Sequence, residues 1–460
     1  MKYCERPFQH VYIMPNGDVR CCSWTTKILG NLLENTLEEI WNSEAAEKVR
    51  ESIRDGSFRF CKRVGCPRCE NNSLAEIDED SEEGKQKLTP LSQPVEFNCA
   101  VDYICNHSCP SCRKSVFVPD EEYIRNMKQI IDRILPFLPE ARFVSTDGQG
   151  DCFASPYIMD MLERFVPANP DLRITLETNG ILFDEEHWNR IRHLSDHHIR
   201  CVITANSFQR ATYKYLAGGH DDLEKLLKNL RFIRGLRESG AINELSVSMI
   251  IQDRNFRELP DFAQRCIEEF HVDEVRLNPI YKWFQMTEDE YLEKDILNPN
   301  HPYHEEYLDV LKDERLKSKK IFWWGGGNIH DKKMLPGPKY QSLYQLTMKW
   351  LALHQEKPDA FADYCLKNGY RNILIYGFTS LGHRLYKELE RLSPAVADRR
   401  CLEWNGIRTI KPSEEDLRLY DLIVVTPLNE GKSLCDDFRE KTEACVLGIA
   451  EWVDLLYSCV

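Results

Sequence analysis

The chain has 460 residues, 42% hydrophobic and 29% charged, the balance of a globular protein of about three domains. No apolar run is long enough to span a membrane, and the start Met1-Lys2-Tyr3-Cys4-Glu5-Arg6 lacks the apolar stretch of a secretion signal, so a cytoplasmic protein is expected. The formal net charge of −14 argues against a nucleic-acid backbone as main partner, because phosphate binding needs a basic surface.

Residues 1–93 read as a small cysteine-rich domain with an acidic linker. Cys4 is followed by Gly17-Asp18-Val19-Arg20-Cys21-Cys22 and Gly30-Asn31-Leu32. Thr36 and Glu39 are spaced as a capping box, and Cys61, Cys66 and Cys69 come last. From Glu76 to Gly84, six of nine positions are acidic, which predicts a solvated linker or exposed loop.

Residues 94–315 alternate short β-rich runs with amphipathic ones. Strands are predicted at 95–97, 142–145, 173–176, 201–204, 245–251 and 274–277. Asp120 caps a helix with Glu121 and Glu122 in its first turn, and Ile124, Met127, Ile131, Ile134 and Leu135 keep one apolar face. Further helices are predicted at 223–235 and 258–270. Six strands alternating with helices imply an α/β fold with a parallel sheet, closed as a partial barrel with its chemistry on the loops after the strands. A boundary is expected between Asn298-Pro299-Asn300-His301-Pro302 and the glycines 325–327, continuing to Pro336-Gly337-Pro338. The rhythm then restarts in a smaller unit, residues 335–460, with strands at 372–376 and 422–425 around a helix at 381–390.

The chain has 18 cysteines, and ten precede residue 113. In a reducing compartment such clustering points to metal or iron–sulfur ligands, or to catalytic thiols, instead of disulfides. The scattered Cys365, Cys401, Cys435, Cys445 and Cys459 read as small buried hydrophobes. The strongest signal is Cys105-Asn106-His107-Ser108-Cys109-Pro110-Ser111-Cys112, just after the first strand of the 94–315 region. Three thiolates can hold three irons of a cubane, leaving the fourth iron open to substrate or cofactor. The alternative is a zinc loop with a remote fourth ligand.

With this loop in this place, the chain resembles the radical S-adenosylmethionine (radical SAM) enzymes over about residues 94–310. The resemblance implies a TIM-like partial (β/α)6 barrel, a SAM-binding [4Fe-4S] cluster on Cys105, Cys109 and Cys112, and SAM itself. Gly148-Gln149-Gly150-Asp151 is similar to the family's glycine–glycine–glutamate motif for the SAM amino group, with Asp151 in place of Glu. Thr178-Asn179-Gly180 matches a recurrent turn. Thr204-Ala205-Asn206-Ser207 stands where relatives read Ser-x-Asp-Ala, so Thr204 and Asn206 are candidate polar contacts to SAM. Ala217 replaces an arginine that relatives carry before Gly218-Gly219, so that contact is not carried over. Asn255, in Asn-x-x-Glu-Leu, is read as a helix cap. Cys152 stands where relatives commonly have proline and is a candidate hydrogen donor; the alternative is packing. Tyr281 and Trp283 read as pocket wall.

The N-terminal segment resembles a SPASM-type auxiliary-cluster domain, here before the barrel, whereas relatives carry it after. The resemblance implies one auxiliary [4Fe-4S] cluster held by Cys4, Cys22 and two of Cys61, Cys66 and Cys69; structural zinc is the alternative. Gly377-Phe378-Thr379-Ser380-Leu381-Gly382 echoes a dinucleotide fingerprint in a Rossmann-like domain, with Thr379 in place of the middle glycine. The implied activity is reductive cleavage of SAM to a 5′-deoxyadenosyl radical that abstracts hydrogen from a small-molecule, sugar, glycoconjugate or peptide substrate, for oxidation or epimerisation. An electron donor such as flavodoxin or ferredoxin is implied as partner. The rival reading is a non-catalytic iron–sulfur scaffold using the Rossmann-like unit for interactions.

Overall fold

The computed structural model describes residues 1–62, 66–70, 73–282, 286–323, 338–378, 380–398, 403–404, 407–410, 416–427 and 431–457. Trp283, Gly325, Gly326, Gly327, Pro336, Gly337, Thr379, Cys401 and Cys459, singled out in the sequence, lie outside them. The chain forms two compact units, Met1–Lys333 and Met334–Val460. Among the described residues no helix is long and apolar enough to cross a membrane.

In the first unit the strands are β1 (Lys2–Tyr3), β2 (His10–Ile13), β3 (Asp18–Arg20), β4 (Gly30–Asn31), β5 (Ala75–Glu76), β6 (Glu96–Cys99), β7 (Phe143–Ser145), β8 (Arg173–Thr178), β9 (His198–Thr204), β10 (Glu244–Ile251), β11 (Glu274–Pro279) and β12 (Ile321–Trp323). Ten of them form one sheet, ordered β12-β11-β10-β9-β8-β7-β6-β2-β3-β4. From β6 to β12 every pairing is parallel, and spatial order follows chain order. Right-handed crossovers that all step the same way put the connecting helices on one face and leave the other face free. The helix-side residues are apolar and buried: Phe97, Val144, Ile174, Leu176, Cys201, Ile203, Val247 and Leu277 are all at most 1% exposed. The α/β class and the parallel sheet predicted from the six runs are present. A seventh parallel strand, β12, was too short to show in the pattern.

The cysteine-rich segment joins the same sheet. β2 pairs in parallel with β6, His10 opposite Glu96 and Ile13 opposite Cys99, and β3 and β4 continue antiparallel. The capping box is present: Thr36 Oγ1 accepts from Glu39 N and the Glu39 carboxylate accepts from Thr36 N. The acidic run is exposed, as expected, but it is built into the fold. β5 pairs antiparallel with β1, and Ser81 caps a short helix, Glu82–Lys87, whose first turn takes Glu82 and Glu83. Acids suit that position because they face the positive end of the helix dipole. Asp120 caps Glu121–Ile134 through Tyr123 N, and Leu223–Glu238 and Leu259–Glu268 supply two of the other predicted helices.

In the second unit β13 (Ile373–Tyr376), β14 (Ala395–Ala397), β15 (Glu403–Trp404), β16 (Ile407–Arg408), β17 (Leu422–Val425) and β18 (Cys445–Gly448) are present, with a parallel sheet ordered β14-β13-β17-β18. Its strand interiors are apolar on both faces, as a sheet covered by helices requires. Phe361 and Trp452 pack edge-to-face at 4.8 Å in that core.

Candidate functional site

The loop after β6 is fixed at its base before the cysteines begin. Asp102, 1% exposed, accepts from Ile104 N (3.0 Å), Tyr123 Oη (2.5 Å) and Ser155 Oγ. Ser155 in turn caps helix Pro156–Arg164, so one buried carboxylate ties the loop to two helices. Further on, Cys109 O accepts from Cys112 N (2.8 Å) and Arg113 N (2.9 Å), closing a tight turn over the last two cysteines. Arg113 reaches back: Nη1 donates to Tyr103 O (2.6 Å), Nη2 to Gln149 O, and Nη2 stands 3.7 Å from Cys112 Sγ. Burial opposes the guanidinium charge, and the surrounding Cys112, Cys105 and Cys109 thiols more than offset it, so Arg113 is held the more firmly protonated. Sequence reasoning missed this residue; its one signal was its place directly after the third cysteine.

Two glycine-bearing loops clamp this segment. A Cβ at Gly150 would stand 2.6 Å from Asp102 O and 2.7 Å from Ile104 O, and one at Gly148 2.7 Å from Ala100 Cα. A Cβ at Gly218 would overlap Ser108 O, and Gly218 holds φ +75°. These positions therefore need glycine for backbone-to-backbone packing under the cysteine loop. Asn179 joins the clamp, with Nδ2 donating to Asn106 Oδ1 (2.8 Å) and lying 3.7 Å from Cys105 Sγ.

Asp151, 2% exposed, accepts four hydrogen bonds: Oδ2 from Thr178 Oγ1 (2.8 Å) and Asn179 N (2.7 Å), Oδ1 from Phe153 N (3.1 Å) and Ala154 N (3.2 Å). That fills the acceptor capacity of a carboxylate. In this structure Asp151 holds the loops after β7 and β8 together. Thr204 Oγ1 and Ser248 Oγ are 3.0 Å apart across the β9–β10 pair. Asn206, at φ +64°, accepts from Ile250 N through Oδ1 (2.9 Å). Asn255 departs from the expected cap. Its side chain makes no helix cap; Nδ2 donates to Asn206 O and Ile250 O (both 2.9 Å), and Oδ1 accepts from Gln252 N (2.8 Å), clasping the loop after β9 to the end of β10.

The face of the sheet turned away from the helices is polar beside this site. The register sets Asn98 beside Ser145, and Ser248 beside Thr204 and Arg276; Glu177, Arg200 and Asn278 share that face. Glu177 is pushed up to about 7, by burial first and then by Asp147, against Arg276 and Arg200. Cys152 is 1% exposed; burial and the Asp151 charge raise its thiol well above the usual range, so it is an S–H group. Tyr281, one of the expected pocket-wall residues, is 46% exposed.

In the N-terminal segment Cys4, Cys22, Cys61, Cys66 and Cys69 are all half-buried and form no disulfide, and Cys21 is buried. Their charges reach one another: Cys22 acts on Cys4, Cys66 on Cys22, and Cys61 and Cys4 on Cys69. The fold therefore gathers thiols far apart in sequence, with Arg68, anchored on Glu5 at 2.6 Å, beside Cys4 and Cys66. Of the adjacent pair, Cys21 is buried and Cys22 half-buried. His10 braces it, its Nδ1 bonded to Cys21 O (2.8 Å) and its Nε2 to the Arg6 guanidinium (2.7 Å).

Burial pushes the Cys105 thiol up to about 11 and that of Cys109 up to about 12, with nearby negative charge adding to both. Among the described residues no three His, Cys, Asp or Glu side chains converge on a single-ion position. A cubane takes its thiolates at separate irons. Clustered thiols with an arginine against each set are donors that fit iron–sulfur clusters.

In the second unit Gly377 (φ +94°) accepts from Thr426 Oγ1 at 2.5 Å, and a Cβ at Gly382 would overlap Gly377 O. Asp398 accepts from Phe378 N (2.7 Å). These glycines close the strand-to-helix turn on itself.

Residues 4–70 match the model of SPASM, an iron–sulfur cluster-binding domain, so the N-terminal segment is of that type. No curated protein matches the chain. Among solved structures it is similar to Streptococcus suis SuiB bound to S-adenosylmethionine, at 13% identity and a TM-score of 0.34, covering 62% of this chain and 64% of that one. It is also similar to SuiB bound to the precursor peptide SuiA (14%, TM-score 0.29, 61% and 64%) and to TYW1 with a lysine-pyruvate adduct (16%, TM-score 0.29, 45% and 68%). The chain thus spans under two thirds of the SuiB chain, and likenesses this distant carry no argument about activity.

Proposed function

We propose that the chain is a radical SAM enzyme with two [4Fe-4S] clusters, one on Cys105, Cys109 and Cys112 and an auxiliary one on Cys4, Cys22 and two of Cys61, Cys66 and Cys69. The observation that carries this reading is the three-cysteine loop, clamped by the glycine loops 148–150 and 218–219 and braced by Arg113. The consecutive parallel strands β6–β11 with helices on one face support a partial (β/α)6 barrel over 94–315, after the SPASM-type segment 1–93; the β14-β13-β17-β18 order supports a Rossmann-like unit over 335–460.

When bound, SAM and its cluster supply a 5′-deoxyadenosyl radical that takes a hydrogen atom from the substrate. The chain's own residues bind and orient. With Asp151 saturated and Gln149 O taken by Arg113, the carbonyls of Gly148 and Gly150 are left to receive the SAM ammonium, and Thr178 and Asn179 keep the loop in register through Asp151. Thr204 and Asn206 border the site from β9. The polar sheet face carrying Glu177, Arg200, Arg276 and Asn278 is the substrate side, suited to a sugar, glycoconjugate or peptide. Oxidation would use the auxiliary cluster as electron acceptor; epimerisation would use Cys152 as hydrogen donor.

Anaerobically reconstituted protein should hold about eight irons per chain and, with SAM and dithionite, form 5′-deoxyadenosine. Changing Cys105, Cys109 and Cys112 together to Ala should remove about half the iron and all of that product. Zinc in the N-terminal segment would overturn the auxiliary cluster. Iron without SAM cleavage would leave the scaffold reading standing.

A further inference from the structure

We infer that Arg113 raises the reduction potential of the cluster on the three-cysteine loop, its guanidinium stabilising the reduced, more negative state through Cys112. The inference rests on Cys105, Cys109 and Cys112 carrying that cluster, as proposed above. Three donors approach the loop's sulfurs. His107 N stands 3.5 Å from Cys105 Sγ, Asn179 Nδ2 3.7 Å from Cys105 Sγ, and Arg113 Nη2 3.7 Å from Cys112 Sγ. The first two are neutral amides. Of the three, Arg113 is the one that brings a full positive charge, and it brings it to the exposed thiol of the loop.

That charge is held in place. Nη1 donates to Tyr103 O at 2.6 Å and Nη2 to Gln149 O, so carbonyls from the loops after β6 and β7 fix the plane of the guanidinium. A guanidinium carries five donors in a rigid fork and keeps its charge in proteins, so Nη2 can serve a carbonyl with one hydrogen and a sulfur with the other. The carbonyls leave the charge uncancelled, and the groups that act on it most strongly are the thiols of Cys112, Cys105 and Cys109. Arg113 is half-buried, which makes its field on the sulfur stronger than in open water. Reduction adds one electron to the cluster, and no bond forms or breaks. The added negative charge spreads onto the ligand sulfurs, so a cation hydrogen-bonded to one of them stabilises the reduced state more than the oxidised one. In a chain of net charge −14, three thiolates without such a partner would hold a cluster harder to reduce.

The test is an anaerobic redox titration of the reconstituted full-length protein with dithionite, read by the electron paramagnetic resonance of the reduced cluster. The loop's signal is the one missing when Cys105, Cys109 and Cys112 are all changed to Ala. Iron content is measured beside it for each variant. Arg113→Met keeps the reach of the side chain and removes its charge and donors. At a given potential its ratio of reduced to oxidised cluster should fall about tenfold, a shift of roughly 59 mV to lower potential. Arg113→Gln keeps a neutral donor and should fall between, and Arg113→Lys, which keeps the charge, should lie nearest the wild type. An unchanged potential in Arg113→Met with full iron overturns the inference and leaves the radical SAM reading intact. Equal shifts in all three variants, or loss of the loop's iron in all three, also overturn it, since Arg113 would then only hold the loop's shape. If Arg113→Met alone loses iron, the comparison of Arg113→Lys with Arg113→Gln decides: a higher potential for Lys supports the inference, and equal potentials overturn it. A wild type without the loop's signal ends both the radical SAM reading and this inference.

Discussion

Asp151 and Cys152 are neighbours in sequence and opposites in chemistry. The carboxylate is spent on four internal hydrogen bonds, and the thiol is kept as S–H by burial beside it. A hydrogen-atom donor must be an S–H group, so the protonation state suits the epimerisation role. Cys152→Ala is then expected to cleave SAM normally but to lose the inverted product, and wild-type product formed in deuterated water should carry solvent deuterium at the reacting carbon. Unchanged product in the variant would end that role and leave Cys152 as packing, with a stability loss of about 1 kcal/mol. At this scale the sequence was legible in residue type and less so in purpose. Gly148, Gly150 and Gly218 stood in motifs the sequence singled out, but what packs against them is the chain's own 100–108 segment. Arg113 and Asp102 left no motif, because their work depends on Gln149, Tyr123 and Ser155, which only the fold brings near.

Among the elements, the strands with strong period-two patterning were legible, and their register makes a further consequence readable. Glu177 stands on the polar face with its folded-state pKa raised to about 7. A raised carboxyl contributes stability fully present below its unfolded value, and that contribution is lost as pH rises through the folded value. Wild-type stability against denaturant should therefore decline between about pH 4.5 and pH 7. Glu177→Gln should flatten that slope and exceed the wild type by about 2 kcal/mol above pH 7, since the buried charge is gone. A matching slope in both proteins would show that Glu177 ionises freely. What the pattern could not show was pairing between distant segments. β12 has three residues, and β2 joins the sheet through partners beyond the whole cysteine-rich segment, so neither leaves a local periodic trace.

For the whole molecule, the division at Lys333 sets a clear expectation. Both cysteine sets and every residue assigned to SAM lie in the first unit, so a chain ending at residue 333 should stay folded, hold both clusters and form 5′-deoxyadenosine at a rate near that of the full protein. Iron retained with cleavage lost would make the second unit part of the active site. The β2–β6 ladder also orders events on the ribosome. β2 carries the cysteine-rich segment into the sheet, yet its parallel partner, Glu96–Cys99, is synthesised only after that segment is finished. Cys4, Cys22, Cys61, Cys66 and Cys69 therefore emerge before the strand that ties their segment into the sheet exists, so that segment can take its place in the sheet only once β6 is made.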